Sequence, residues 1–304
     1  MTAFHLNLRS APDPDKKNVI ATLPQGTEVT KVREAEMAGW IEVDTTIAGQ
    51  AIHGFLNGAH VAPAGTTSFP AVTAAAGEPK EADLGPSEKA KRSSTGARAN
   101  SVGEPDRPGR PSTEGAGKAA GIVKILDWLD VGDTDKHLRW KGVGGKTFCN
   151  VYVYDVCALA GVYIPRVWWT SKALVQLSKG ATIKAIYGET VMEMRANYIF
   201  NWLVEYGEDF GWERVFDLDA LQDGANAGRI GVVCAQRKDM ETPGHIQIAA
   251  PEHGSHKAKR SGSKVVQPLQ SNAGSENFTF GHLSANWYQA SKYKQHGFWL
   301  ADVG

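Results

Sequence analysis

Between residues 64 and 118 the chain almost stops carrying large apolar side chains; Phe69, Val72, Leu84 and Val102 are all it has there, among Ala, Gly, Pro, Ser and charged residues. Such a stretch cannot bury enough surface to offset the entropy lost on ordering, so it reads as a flexible tether. It divides the 304 residues into an N-terminal part, 1–63, and a C-terminal part, 119–304, each of which must fold on its own core. Over its whole length the chain has the composition of a folded protein, with 42% hydrophobic and 22% charged residues. The 33 Lys and Arg balance the 33 Asp and Glu. That balance gives no cationic surplus for phosphate, so a nucleic-acid partner is not expected. Three cysteines cannot make a disulfide scaffold, and the odd count leaves at least one free thiol.

The N-terminal part alternates short β-rich runs with turn chemistry: Leu6 to Pro12, Val19 to Leu23, the Pro24-Gln25-Gly26-Thr27 turn, Glu28 to Val32, Gly39 to Val43, Ile52 to Leu56 and His60 to Ala62. Short strands at this spacing predict a small closed barrel. The order LNLRSAP, VIATLPQGTEV, GWIEV, HGFL and HVAP resembles the bacterial SH3-like domain appended to many cell-wall enzymes, over residues 4–63. The stretch from Asp44 to Ala51 is longer than the usual hairpin of that family. The resemblance implies a module that binds peptidoglycan peptides; a spacer that binds nothing is the plainer alternative.

The C-terminal part mixes helical and strand patterns. Helices are expected over Gly121–Val131, over Cys149–Ala160 with Gly161 as terminator, over Ser171–Ser178, from the Thr190-Val-Met-Glu193 capping box to near Gly207, and over Asp217–Ala227. Strands follow at Arg229–Ala235, His245–Ala250 and Val265–Asn272. Helices first and sheet second is an α+β order.

Cys149 follows a glycine-rich segment and opens a helix. Unsatisfied N–H groups and the helix dipole favour a thiolate there. Cys157 and Cys234 read as small buried hydrophobes instead. His245 opens a strand after Thr242-Pro243-Gly244 and is the base a thiol would need. Gln270 and Asn272, two apart on the next strand, share a face, and either amide oxygen can orient the imidazole; Gln267 is a weaker candidate. The segments TFCNVYVYDVCALAGVYIP, ANAGRIGVVCAQ, PGHIQIAAPE and PLQSNAG occur in the order found in NlpC-type and CHAP cell-wall peptidases, and the match runs over residues 120–300. The chain thus resembles a papain-like cysteine hydrolase of that group. Carried over by position, Cys149 is the nucleophile, His245 the base, and Gln270 or Asn272 the orienting residue. An amide in that third place, and the long basic connection from Pro251 to Lys264, depart from the pattern.

Other motifs are set aside. Gly142 to Thr147 is similar to a phosphate loop, but Trp140 stands where the motif requires glycine. His253-Gly-Ser-His256 offers only two metal ligands and reads as a solvated turn. No metal or cofactor is expected. Trp168 and Trp169, read as loop residues, either pack in the core or wall a substrate groove.

The fold expected is therefore α+β: a small all-β SH3-like barrel, a flexible linker, then a papain-like cysteine hydrolase domain. The function that follows is cleavage of an amide bond in the peptide stem of peptidoglycan, as endopeptidase or amidase. No basic and apolar leader is visible at the N-terminus. The expected setting is the periplasm or cell wall, reached by non-classical export as an antibacterial effector or by lysis as a phage endolysin. An immunity protein blocking the groove is the partner expected of an effector, and no membrane insertion is foreseen. The competing readings are a non-catalytic wall-binding protein and a cysteine protease or deamidase acting on proteins.

Overall fold

The computed structural model describes residues 5–12, 18–24, 27–37, 39–47, 50–58, 61, 81–82, 106–112, 114–115, 117–134, 140–178 and 180–304. The chain divides into two compact units, Met1–Ala75 and Ala76–Gly304.

The first unit is an antiparallel sheet of β1 (His5–Arg9), β2 (Val19–Pro24), β3 (Thr30–Glu34), β4 (Trp40–Ile47) and β5 (Gln50–Asn57), in the order β2-β1-β5-β4-β3. Leu6, Leu8, Leu23, Ile41, Val43 and Leu56 form its core. The long Asp44–Ala51 stretch lengthens the β4–β5 hairpin, which stays in register from Trp40↔Asn57 to Ile47↔Gln50. The expected closed barrel is corrected: among the described residues no ladder joins β3 to β2. Every residue of β3 is exposed, so burial supplies no drive to curl that edge back on β2. Gln25, Gly26, His60 and Ala62 lie outside the described residues.

The second unit is a mixed α and β structure. Its helices are α1 (Gly117–Leu129), α2 (Cys149–Ala160), α3 (Ser171–Ser178), α4 (Ala196–Glu205) and α5 (Leu218–Asn226). A small sheet pairs β6 (Val167–Trp169) with β7 (Val191–Glu193). The main sheet is built from β8 (Trp212–Val215), β9 (Arg229–Arg237), β10 (His245–Ala249), β13 (Gln270–Asn272), β14 (Phe278–Gly281) and β15 (Tyr293–Asp302), ordered β14-β13-β10-β9-β15-β8. A short hairpin of β11 (Lys259–Ser261) and β12 (Lys264–Gln267) occupies the long connection after β10.

Alternation along the strands feeds two cores. Ile230, Val232, Cys234, Ile246, Ile248 and Trp299 face α1, α2 and α4. Val233, Ala235, Ala249, Phe298 and Leu300 face Leu221 and Ala225 of α5, together with Trp287 and Tyr288. Helix α2 ends as expected, at Gly161 in the left-handed region (φ 76°), whose N–H bonds back to the last turn. Asp217 caps α5 by accepting from the Ala220 N–H at 2.7 Å.

Four expectations are revised. Thr190 opens no helix: its hydroxyl donates to Lys184 O (2.7 Å) and accepts from the Ile186 N–H (2.8 Å), closing a turn, and Val191–Glu193 is strand. The expected strand 265–272 is two strands, β12 and β13, divided at Pro268, which has no N–H for a ladder. Trp168 and Trp169 sit on β6 and are buried, so they wall no groove. Much of the expected tether lies outside the described residues, but two of its pieces are docked. The Ala82 N–H donates to Tyr163 OH at 3.0 Å, and Pro111 packs against Gly121 of α1. No helix among the described residues is long and apolar enough to cross a membrane.

Candidate active site

Helix α2 starts at Cys149 with no side-chain cap, the first helical bonds to Phe148 O coming from Val151 and Tyr152. The N–H groups of Cys149 and Asn150 are therefore left over, as at any uncapped helix start. Together with the N–H of Ile246 they lie close enough to the Cys149 sulfur to favour its charged form. Ile246 directly follows His245, so the thiol lies against the opening of β10. Asn150 fixes the helix start from the other side, donating from Nδ2 to Met194 O at 2.9 Å.

His245 is held through a defined chain. Its Nε2 is 2.8 Å from Asn272 Oδ1, and Asn272 Nδ2 donates to Glu276 O at 2.6 Å. A carbonyl oxygen only accepts, so the amide must present its NH2 to Glu276 and its oxygen to the imidazole. Nε2 then carries the hydrogen, and Nδ1 keeps the lone pair of the neutral ring. That is the tautomer a base needs. Gly274 leaves space for this pair, since a Cβ there would stand 3.1 Å from both His245 Cε1 and Asn272 Nδ2. Of the two candidate amides, Asn272 is the one that bonds His245. Gln270 is committed elsewhere: its Oε1 accepts from the Leu283 N–H at 2.7 Å. Gln267 holds the same residue, donating to Leu283 O at 2.6 Å.

Trp287 stands edge-on to the imidazole, with ring centroids 4.8 Å apart. Tyr293 packs on Trp287 at 5.7 Å and is close enough to feel a charge on Cys149. Neither aromatic was singled out as a site residue from the sequence, where indoles have no fixed spacing to betray a role. Asn197 was missed as well. It receives the Arg237 N–H at 2.9 Å and donates to Thr242 O at 2.9 Å, pinning the turn that delivers His245.

Burial governs the resting electrostatics. Desolvation raises the Cys149 thiol above its ordinary range, although the three backbone N–H groups pull the other way. Desolvation also lowers His245 to about 4, against the Asn272 hydrogen bond and with help from Lys292. Thiol and imidazole therefore both rest neutral. The expectation that the helix start alone would give a thiolate is corrected on this point, because Cys149 is only 6% exposed. Among the described residues no hydrogen bond joins Cys149 to His245. Cys157 and Cys234 are fully buried, as expected of packing residues. No family model matches this chain, and no curated protein does.

Proposed function

We propose that the chain is a cysteine-dependent hydrolase of papain-like type that cuts an amide bond in the peptide stem of peptidoglycan. The observation that carries this reading is the orientation of His245. Asn272 Oδ1 takes the Nε2 hydrogen, so the lone pair of Nδ1 is the one left for a thiol at the start of α2. In the reaction Nδ1 removes the thiol proton as sulfur bonds to the substrate carbonyl carbon. The Cys149 N–H is one donor for the oxyanion. The imidazolium then gives its proton to the departing amine as the C–N bond breaks. Water, deprotonated by the same nitrogen, cleaves the thioester and returns the thiol. A neutral pair suits this route, with proton transfer coupled to attack.

The first unit, read as an SH3-like module, holds the enzyme near its polymeric substrate and raises the effective concentration of stem peptides. The setting is the periplasm or cell wall, and the agent is an antibacterial effector, with an immunity protein in the groove, or a lysin. The test is turnover of purified sacculi with mass analysis of the released muropeptides. Cys149→Ala should lower turnover at least ~10³-fold while thermal melting stays near that of the parent. Retained turnover would sink the proposal, and the fragment masses separate endopeptidase from amidase. The raised thiol also favours a second reading, a wall-binding protein with an inert cysteine. On that reading the parent chain binds sacculi and releases no fragments.

A further inference from the structure

The segment after β10 brings two imidazoles together away from the site described above. His253 and His256 exchange backbone hydrogen bonds, His253 N to His256 O at 3.1 Å and His256 N to His253 O at 2.8 Å. A two-residue turn through Gly254 (φ 46°) and Ser255 is thereby closed, at the place the sequence reads as a solvated turn. The two rings lie 5.0 Å apart, centroid to centroid, and both rest on Phe280, at 4.4 and 5.1 Å. His253 Nδ1 is 3.0 Å from Pro251 O. That oxygen can only accept, so Nδ1 carries the hydrogen and Nε2 keeps a lone pair. Metal-binding histidines are commonly held this way, one ring nitrogen tied to a carbonyl and the other left as ligand. Two imidazoles sharing a cation at ~2.1 Å from each donor nitrogen have centroids about 4.5–5 Å apart, which the observed spacing meets.

We propose that His253 and His256 form a two-imidazole site for a late first-row divalent cation of the Cu2+, Ni2+ or Zn2+ class, with water completing the shell. Among the described residues no third His, Cys, Asp or Glu joins them. The Glu252 carboxylate is already engaged by Arg260, Asn226 and the Ala258 N–H. Nitrogen donors select this class over Mg2+ and Ca2+, and Cu2+ binds tightest within it. The exposed Lys257 and Lys259 beside the turn oppose the cation and hold the affinity down. Binding needs neutral imidazoles, so acid releases the ion.

The test uses the untagged full chain, because a histidine tag would mask the site. Zn2+ is titrated at neutral pH by calorimetry, and bound Cu2+ is examined by electron paramagnetic resonance for coupled imidazole nitrogens. The parent should hold one Cu2+ on two imidazoles. His253→Ala and His256→Ala should each weaken Zn2+ binding about tenfold or more, while His53→Gln leaves it unchanged. The assignment is overturned if the double variant binds as the parent does, if Cu2+ couples to one imidazole only, or if Zn2+ binds only at millimolar concentration. None of these readouts depends on peptidoglycan turnover, so the assignment stands or falls apart from the hydrolase reading.

Discussion

At the scale of single residues, the two amides of β13 separate orientation from support. Asn272 faces His245, and Gln270 faces the backbone of Leu283. Asn272→Ala should lower kcat on sacculi about 10²-fold with little change in KM, because the imidazole loses its orientation and not its chemistry. Gln270→Ala should leave kcat within a few-fold and lower stability by about 1–3 kcal/mol, through the Leu283 N–H left without its partner. Kinetics and melting measured on both variants check the division; equal kinetic losses would refute it. His245 gives a second test. Its folded value of about 4 lies below the ordinary 6.5, so between those limits the unfolded chain binds more protons than the folded one. Stability contributed by the neutral ring is fully present above 6.5 and is lost as pH falls toward 4, by up to about 3 kcal/mol. Denaturant melts of the parent and of His245→Gln should converge over that window. A constant gap between the two curves would contradict the burial argument.

At the scale of elements, α5 carries a glycine where packing overrides intrinsic preference. Gly224 lies inside the helix, where alanine would ordinarily add about 1 kcal/mol. A Cβ there would run into the methyls of Leu300 on β15, itself buried in the second core. Gly224→Ala should therefore destabilise by about 1–3 kcal/mol; a stabilised variant in chemical denaturation would show that the helix can shift away. What could be read from the sequence follows the same division between local and non-local signals. Helix α2 was legible to the residue, because apolar spacing and the Gly161 terminator act within a few positions of one another. The meeting of His245 with an amide of the following strand was legible too. The Thr190 capping box failed because its hydroxyl has a nearer use in the turn from Lys184. Strand β15 was not foreseen. Its first half, Tyr293 to His296, is polar, and its second half is apolar on both faces because Trp299 and Ala301 enter one core while Phe298 and Leu300 enter the other. Nothing local announces a central strand of that kind. The choice between Gln270 and Asn272 was equally non-local, since it depends on which amide meets Glu276 and which meets Leu283.

At the scale of the whole molecule, the two units rest on cores of very different size. Among the described residues the first depends on six buried aliphatic side chains, of which Leu8 is fully enclosed. Leu8→Ala should cost about 2–5 kcal/mol, most of what a unit of that size holds in reserve. Calorimetry of the full chain should then lose or shift one transition while the other keeps its temperature. If both transitions moved together, the units would not be independent. On the reading proposed above, this variant should keep turnover of soluble muropeptides and lose part of its activity on sacculi.

The order β14-β13-β10-β9-β15-β8 carries a timing consequence. Until residues 293–302 have left the ribosome, β8 has no neighbour to bond with, and one flank of β9 lies bare. The sheet that presents His245 thus stays incomplete until β15 joins it, and its assembly waits on contacts between distant parts of the chain. The unfilled slot beside β9 is where a chaperone, or a stray strand from another chain, would first find purchase.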